Sequence, residues 1–317
     1  MSNKPDVLLT RAVYPGTVET LEREFTLHKL WTAPDQDKMI ADLAPTLRVI
    51  AGGYGCNATL LSKFPKLGLV ANFGVGYDTI DVDYCAKHGI HATNSPDVLN
   101  DEVADTAMGL LLCTARKLVV GDRYVREGKW LKGAMPLTTN ITGKTMGIVG
   151  LGRIGEAVAS RAIAHKMNVV YHNRSKKDVP YKYYPSLVEM ARDVDVLMVI
   201  IPGGAETAKL ISREVLEALG PSGILINVAR GTVVDEPAMV ELLKSGKLGA
   251  AGLDVFEKEP EVPQGLIELT ENVVLQPHVG SATHATRTAM GQLMIDNIKA
   301  FLAGQPLLTE VPETKGK

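Results

Sequence analysis

The sequence predicts an α/β protein made of two doubly wound, parallel-sheet domains, one of them inserted into the other. Short apolar runs alternate with segments of helical period along the whole chain, and this alternation favours βα units and a parallel sheet. A chain of 317 residues is also long for a single core, which favours two domains. We expect residues 1–95 and 287–317 to form one domain and residues 96–286 the other.

The first hundred residues contain apolar runs that predict four strands, with helical segments such as Thr17–Phe25 between them. The predicted strands are Val7–Thr10, Arg48–Ala51, Leu69–Asn72 and Ile90–Thr93. A long helix is then predicted over Asp101–Arg116, with Asn100 as its cap and acidic residues in its first turn. Its apolar positions surround the helix axis, so we expect this helix to be buried.

A second series of βα units begins after a stretch rich in glycine and proline. The predicted strands are Thr145–Val149, Val169–Tyr171, Val194–Ile201, Ile224–Val228, Gly249–Leu253 and Val273–Leu275. The chain ends with an amphipathic helix over Ala285–Phe301, which would return to the first domain.

Charge and cysteine content exclude several classes of protein. Lys and Arg total 34 against 36 Asp and Glu, a net charge of −2, so no general field attracts nucleic acid or an anionic membrane. The three cysteines are widely spaced, which favours a reducing compartment over a disulfide framework. The apolar run Val196–Pro202 is too short for a membrane span, and His88 and His91 lack neighbouring ligands for a metal. We expect a cytoplasmic protein without a metal.

A glycine motif provides the first indication of a ligand. Gly150, Gly152 and Gly155 have the spacing G-x-G-x-x-G, between an apolar strand and the helical pattern Arg153–His165. Glycines there allow a tight turn, close approach of a diphosphate, and close packing of the helix on the strand. Alone the motif could be an ordinary turn, but its strand–helix context predicts a Rossmann-like, NAD(P)-binding domain over 96–286.

The end of the next strand indicates which dinucleotide binds. An NAD-preferring site carries an acid there for the ribose 2′-hydroxyl, whereas this chain has Asn173, Arg174 and Ser175 followed by two lysines, with no acid before Asp178. Arg174, Ser175 and the lysines could hold a 2′-phosphate by charge-assisted hydrogen bonds. We therefore expect NADPH as cofactor, with NADH weaker; the alternative is a solvated basic turn.

Three polar residues follow strands in the same predicted sheet. Arg230, Glu259 and His278 come after the strands that end near Val228, Leu253 and Leu275. Ligands of parallel sheets bind beyond the carboxyl ends of the strands, so we expect these side chains to converge where the nicotinamide lies. Each could alone be a surface ion pair, a helix-start charge or a loop histidine.

The chain resembles the D-isomer-specific 2-hydroxyacid dehydrogenases over nearly its whole length, most closely the glyoxylate/hydroxypyruvate and hydroxyphenylpyruvate reductases. The resemblance rests on the glycine motif, the three late segments, and the stretches 73–78, 94–99, 101–106, 122–126, 128–130 and 174–177. It implies that 1–95 and 287–317 form a flavodoxin-like, substrate-binding domain, that the enzyme is a homodimer, and that closure of a cleft excludes water.

The resemblance also implies roles for individual residues. Arg230 would hold the carboxylate and keto oxygen of the substrate, His278 would be the general acid, and Glu259 would orient the imidazole and favour its protonated form. Asp254 would contact the nicotinamide carboxamide, and Thr106 the phosphates of the cofactor. The expected cofactor-binding residues are Thr106, Gly150, Leu151, Gly152, Arg153, Ile154, Gly155, Asn173, Arg174, Ser175, Ile201, Pro202, Thr207, Val228, Ala229, Asp254, His278 and Gly280.

The substrate is expected to contact residues from both domains. They are Tyr54, Val75, Gly76, Leu99, Arg230, His278 and Trp130, the last either reaching a partner subunit's pocket or packing its own loop. The expected reaction is NADPH-dependent reduction of glyoxylate or hydroxypyruvate to a D-2-hydroxy acid. Alternatives are a 2-ketogluconate or phenylpyruvate-type reductase and, from another class, a non-catalytic NAD(P)-sensing protein.

Overall fold

The computed structural model describes residues 4–316 of the chain. It divides into two compact units. Unit 1 consists of the chain up to Leu99 and the chain from Ser281, and unit 2 consists of Asn100–Gly280. The predicted boundaries, near Ser95 and Thr286, lie a few residues from these positions. The predicted fold class, two parallel-sheet α/β domains with one inserted into the other, is confirmed.

Unit 1 is built on a five-stranded parallel sheet with the order β2-β1-β3-β4-β5 within the described residues. Its strands are β1 (Asp6–Leu9), β2 (Thr26–Lys29), β3 (Val49–Gly52), β4 (Leu69–Asn72) and β5 (His91–Thr93). Its helices are α1 (Pro15–Glu24), α2 (Gln36–Leu43), α3 (Ala58–Leu61), α4 (Val82–Lys87) and α12 (His284–Leu302). Every residue of β3 and β4 is buried, as expected of central strands covered on both faces.

Unit 2 is built on a seven-stranded parallel sheet, β12-β11-β10-β9-β6-β7-β8, again within the described residues. Its strands are β6 (Thr145–Val149), β7 (Asn168–His172), β8 (Lys182–Tyr183), β9 (Val196–Val199), β10 (Ile224–Asn227), β11 (Ala250–Leu253) and β12 (Val273–Leu275). Its helices are α5 (Asn100–Ala115), α6 (Leu118–Arg126), α7 (Arg153–Ala164), α8 (Leu187–Asp193), α9 (Arg213–Leu219), α10 (Glu236–Lys244) and α11 (Gln264–Ile267).

Helix α5 covers one face of this sheet. It packs against α7, β10 and β11, which explains the apolar residues on several sides of it. The approach to β11 is close, because a Cβ added at Gly252 would lie 2.9 Å from Thr114 Oγ1. Asn100, expected as the cap, is the first residue of the helix itself.

Strands β2 and β8 and helix α6 were not predicted from the sequence. Strand β2 lies at a sheet edge with all four residues at least partly exposed, and β8 has only two residues, so neither produces an apolar run. Helix α6 buries none of its residues. Across residues 4–316, no helix combines the length and apolarity that a membrane span requires, and no group of three or more His, Cys, Asp or Glu is placed to hold a metal.

Candidate active site

The glycine motif lies where the strand order of the unit 2 sheet reverses. From β6 the chain proceeds to β7 and β8 on one side, and then returns to β9 on the other. Gly150 follows β6 with φ +98°, and a Cβ there would lie 2.4 Å from the carbonyl oxygen of Ile200. A Cβ at Gly155 would lie 2.3 Å from the carbonyl oxygen of Gly150. Both positions therefore require glycine, one for the turn and one for packing of α7 on the loop.

The loop has the space and the polarity that a dinucleotide diphosphate needs. A Cβ added at Gly152 would meet no atom within 4 Å, so this side of the loop is open. Gly152 is also the N-cap of α7 and offers no side-chain acceptor to the first N–H groups of the helix. A helix N-terminus of this kind favours an anion, and the residues present fit an NAD(P) cofactor.

The segment after β7, residues 173–177, is called the basic turn. Some of its side chains face solvent and others contact the glycine loop. The Arg174 side chain is 94% exposed and pairs with Glu206 at 3.4 Å, and Ser175 and Lys176 are exposed as well. Asn173 instead accepts a hydrogen bond from Leu151 N at 2.8 Å. Lys177 Nζ donates to the carbonyl oxygen of Leu151 at 2.8 Å. The ammonium group is therefore directed at the glycine loop, whereas a lysine that holds a 2′-phosphate is expected to face solvent.

The segment after β9 folds into a short turn. Thr207 Oγ1 donates to the carbonyl oxygen of Pro202 at 2.7 Å, which fixes the bend that begins at Ile201. In helix α5, Thr106 Oγ1 donates to the carbonyl oxygen of Gly280 at 3.3 Å. The cofactor contacts expected of these residues stay predictions.

The structure brings two of the late residues into direct contact. Glu259 and His278 follow the neighbouring strands β11 and β12, and Nδ1 of His278 lies 2.7 Å from Oε2 of Glu259. The other carboxylate oxygen, Oε1, accepts a hydrogen bond from the Phe256 N–H at 3.1 Å. The pair thus fixes the ring by its Nδ1 side and leaves Nε2 for another partner.

The protonation state of Glu259 follows from its surroundings. Burial raises the pKa of this carboxyl, but the hydrogen bond and charge of His278, the Phe256 N–H and the charge of Arg230 together hold it below its ordinary value. Glu259 is therefore ionised near neutral pH, and a carboxylate can only accept. Nδ1 of His278 consequently carries a proton that it donates to Glu259.

Asp254 positions the turn that carries His278. His278 has φ +54°, and its N–H donates to the backbone oxygen of Asp254 at 2.8 Å. The two carboxylate oxygens of Asp254 accept hydrogen bonds, one from the N–H of Val279 at 2.7 Å and one from the N–H of Gly280 at 2.9 Å. Burial is the main cause that raises the pKa of Asp254, which is 2% exposed. Its visible contacts are with this turn, and the expected contact with the carboxamide stays a prediction.

Arg230 is presented by a tight connection after β10. The Asn227 side chain donates to the backbone oxygen of Arg230 at 3.0 Å and accepts from Ala229 N at 3.0 Å, so the turn through Val228 is held by one buried amide. A Cβ at the next residue, Gly231, would lie 1.9 Å from the backbone carbon of Phe256. The Arg230 connection therefore packs directly on the loop that leads to Glu259.

Unit 1 carries the loop whose backbone is expected to bind substrate. Val75 and Gly76 follow β4 in a loop whose carbonyl groups are held by two asparagine side chains: Asn94 Nδ2 donates to Val75 O at 2.9 Å, and Asn72 Nδ2 to Gly76 O at 2.8 Å. Neither asparagine was predicted to be a positioning residue, although Asn72 is a polar residue at the end of an apolar strand.

The three remaining residues of the expected substrate site differ in exposure. Tyr54 is 52% exposed, with the Arg11 guanidinium 5.0 Å from its ring centroid. Leu99 is 3% exposed and Trp130 is 68% exposed. Burial of Leu99 limits what it can offer to a ligand, whereas Trp130 is accessible.

Comparison with known proteins places these features in a family. Residues 108–280 match the model of the D-isomer specific 2-hydroxyacid dehydrogenase NAD-binding domain. The chain is 49% identical over 296 residues to hydroxyphenylpyruvate reductase of Plectranthus scutellarioides, covering 92% of this chain and 94% of the relative. It is 47% identical over 294 residues to glyoxylate/hydroxypyruvate reductase A of Arabidopsis thaliana, with the same coverage of 92% and 94%.

A solved structure agrees with the same grouping. The NADPH-dependent glyoxylate/hydroxypyruvate reductase of Sinorhizobium meliloti, crystallised with NADP and malonate, superposes with a TM-score of 0.91. The two chains are 44% identical, and the match covers 98% of each.

Proposed function

This chain belongs to the D-isomer-specific 2-hydroxyacid dehydrogenase family, and from that premise we propose that it reduces small 2-oxo acids, glyoxylate and hydroxypyruvate among them, to D-2-hydroxy acids with NADPH. The observation that carries the proposal is the contact of His278 with Glu259, beyond the carboxyl ends of strands in the sheet that also carries the glycine motif. The similarity to reductases of glyoxylate, hydroxypyruvate and hydroxyphenylpyruvate supports it.

Each of the three late residues, Arg230, Glu259 and His278, has its own role in the proposed reaction. An NADPH held at the glycine motif would supply the hydride for the carbonyl carbon of the substrate. Arg230 donates hydrogen bonds to the substrate carboxylate and keto oxygen, a task for which its planar fork of donors is suited. His278 gives the Nε2 proton to the keto oxygen, which becomes the hydroxyl. Glu259 keeps Nδ1 protonated throughout and stabilises the imidazolium that precedes the transfer.

The experiment that tests this function follows NADPH and NADH consumption with a panel of 2-oxo acids. The panel contains glyoxylate, hydroxypyruvate, phenylpyruvate and 2-ketogluconate. A hydrophobic pocket discriminates one methylene by only about 1–3 kcal/mol, so we expect turnover of several acids, with glyoxylate and hydroxypyruvate preferred and NADPH the better cofactor. Lack of turnover with every acid would contradict the proposal and favour a non-catalytic NAD(P)-sensing protein.

Arg174 should determine the preference for NADPH. Its exposed guanidinium follows β7, where no acid stands to repel a 2′-phosphate. We expect Arg174→Ala to lower the NADPH/NADH ratio of kcat/KM by about tenfold, because the charge-assisted hydrogen bond to the 2′-phosphate is lost. The control is Arg213→Ala, which removes an arginine paired with Glu241 elsewhere in unit 2. A ratio unchanged in Arg174→Ala would refute the role.

Helix α6 and the segment after it should form a homodimer interface. We call the surface formed by α6 and the segment after it the α6 face. It carries six of the eleven large apolar side chains that are exposed within residues 4–316. They are Leu118, Val119, Val125, Trp130, Leu131 and Leu137. Exposed apolar patches of this kind mark protein interfaces, and a twofold dimer pairs one surface with itself.

Sedimentation tests the dimer. We expect a mass of twice the 34.1 kDa of one chain, and dissociation by Val125→Asp, which puts a charge into the α6 face. Ile163→Asp is the matched control, because Ile163 is 49% exposed outside that face. A monomeric wild-type protein would rule out the interface.

The free thiols of Cys56, Cys85 and Cys113 support our further proposal of a reducing, cytoplasmic location.

A further inference from the structure

Leu151, at the apex of the glycine motif, has both of its backbone hydrogen-bonding groups held by the basic turn. Its N–H donates to Asn173 Oδ1 at 2.8 Å, and its carbonyl oxygen accepts from Lys177 Nζ at 2.8 Å. The Leu151 side chain is fully buried in the core of unit 2. The peptide groups that precede α7 are therefore fixed from three directions.

Lys177 is itself held in place by a buried tyrosine. Its N–H donates to Tyr171 Oη at 2.8 Å, and Tyr171 Oη donates to the backbone oxygen of Lys177 at 3.1 Å. Tyr171 is completely buried. A second hydroxyl, that of Tyr183, donates to the backbone oxygen of Asn173 at 3.2 Å. The basic turn is thus anchored near both of its ends, and its lysine is directed toward the loop.

The ammonium group of Lys177 also pairs with an acid on the helix that begins at the motif. Its Nζ lies 2.6 Å from Oε1 of Glu156, which belongs to the first turn of α7. A carboxylate at this helix end would repel a diphosphate bound there. Lys177 neutralises that charge while it fixes the Leu151 carbonyl group.

We propose that Lys177 is a positioning residue for the glycine motif and does not read the 2′-phosphate. The turn then divides by role: Arg174 and Ser175 contact the 2′-phosphate, whereas Asn173 and Lys177 hold Leu151 so that the first N–H groups of α7 are ready for the diphosphate. The inference rests on the proposed use of NADPH. It assigns Lys177 to a part of the cofactor that NADPH and NADH share.

The test compares dissociation constants of three probes for Lys177→Met and Arg174→Ala. The probes are NADPH, NADH and 2′-AMP, which has the 2′-phosphate but no diphosphate. We expect Lys177→Met to weaken NADPH and NADH by the same factor, about 3- to 10-fold, since a charged hydrogen bond and the pre-ordering of the loop are lost. Binding of 2′-AMP should stay within about twofold of wild type and kcat at saturating cofactor should be retained, because Lys177 Nζ bonds to Leu151 and Glu156 and, on this proposal, contacts neither the 2′-phosphate nor the reacting atoms. Arg174→Ala should show the opposite pattern, weakening NADPH and 2′-AMP but not NADH.

Two further variants separate this role from general charge or folding effects. Lys176→Met removes an equal charge from the exposed neighbour, and any loss it causes should be confined to NADPH and 2′-AMP. Lys177→Arg keeps a cation that can donate to Leu151 and Glu156, and it should restore binding of both dinucleotides.

The outcomes are distinguishable. Weakening of NADPH and 2′-AMP with unchanged NADH in Lys177→Met would overturn the inference, and so would unchanged affinity for both dinucleotides in a folded variant. If Arg174→Ala left the ratio of the NADPH and NADH dissociation constants unchanged, the proposed NADPH preference would be contradicted. The role of Lys177 would then be tested by the affinity of Lys177→Met for NADH alone.

Discussion

Replacing His278 with alanine is expected to lower kcat for glyoxylate reduction by about 10²- to 10⁴-fold, the usual contribution of a positioned general acid. The ring is held through Nδ1 by Glu259 at 2.7 Å, so Nε2 is the atom from which a proton can leave toward the substrate. Without it, the developing alkoxide must take its proton from water. Steady-state NADPH oxidation at saturating substrate measures the effect.

The matched control is His165→Ala. His165 is exposed at the end of α7 distant from the glycine motif, so its removal changes the histidine content without touching the site, and the rate should be that of wild type. If His278→Ala retained activity within severalfold of wild type, the assignment of His278 as the acid would be wrong.

The second large effect is expected for Arg230→Lys, which keeps the charge but removes the planar fork. We expect kcat/KM for glyoxylate to fall by about 10²- to 10³-fold, because a lysine cannot make the paired hydrogen bonds to carboxylate and keto oxygen and leaves substrate oxygens unpaired. The connection around Arg230 is tightly built, with Asn227 bonded to its backbone and Gly231 against Phe256, so the protein has little freedom to move a shorter group into place.

Arg213→Lys is the conservative control for this substitution, since Arg213 pairs with Glu241 and Glu217 at the surface. It should leave kcat/KM unchanged. Activity of Arg230→Lys close to that of wild type would show that a point charge suffices and that the paired geometry is not required.

Much of the candidate site could be predicted because its residues follow strands. Position after a parallel strand determines the edge at which a side chain emerges, and Glu259 and His278, 19 positions apart in sequence, could be expected to meet on that ground. The glycine spacing likewise follows from local backbone demands, which the φ of +98° at Gly150 illustrates.

Other features were not predicted. Strands β2 and β8 are short and produce no apolar run, so apolar periodicity did not detect them. The amphipathic pattern of helix α6 is present in the sequence but was not assigned to a helix. Lys177 appeared equivalent to Lys176 and Arg174 as a member of a basic run. Its contact with Leu151 depends on Tyr171, six residues earlier in sequence, holding the turn.

The sequence by itself determined the order of the α/β elements, the dinucleotide motif and the identity of the residues after each strand, because these depend on periodicity and on backbone demands within a few residues. Only the tertiary structure decided which oxygen each donor reaches. It assigned the carboxylate of Asp254 to the turn that carries His278 and the ammonium of Lys177 to the glycine motif. For the expected pair of Glu259 and His278, it decided that Oε2 meets Nδ1. The physical reason is that a hydrogen bond forms only when donor and acceptor are placed to within a few tenths of an ångström. That placement is set by the packing of strands and helices far apart in the chain.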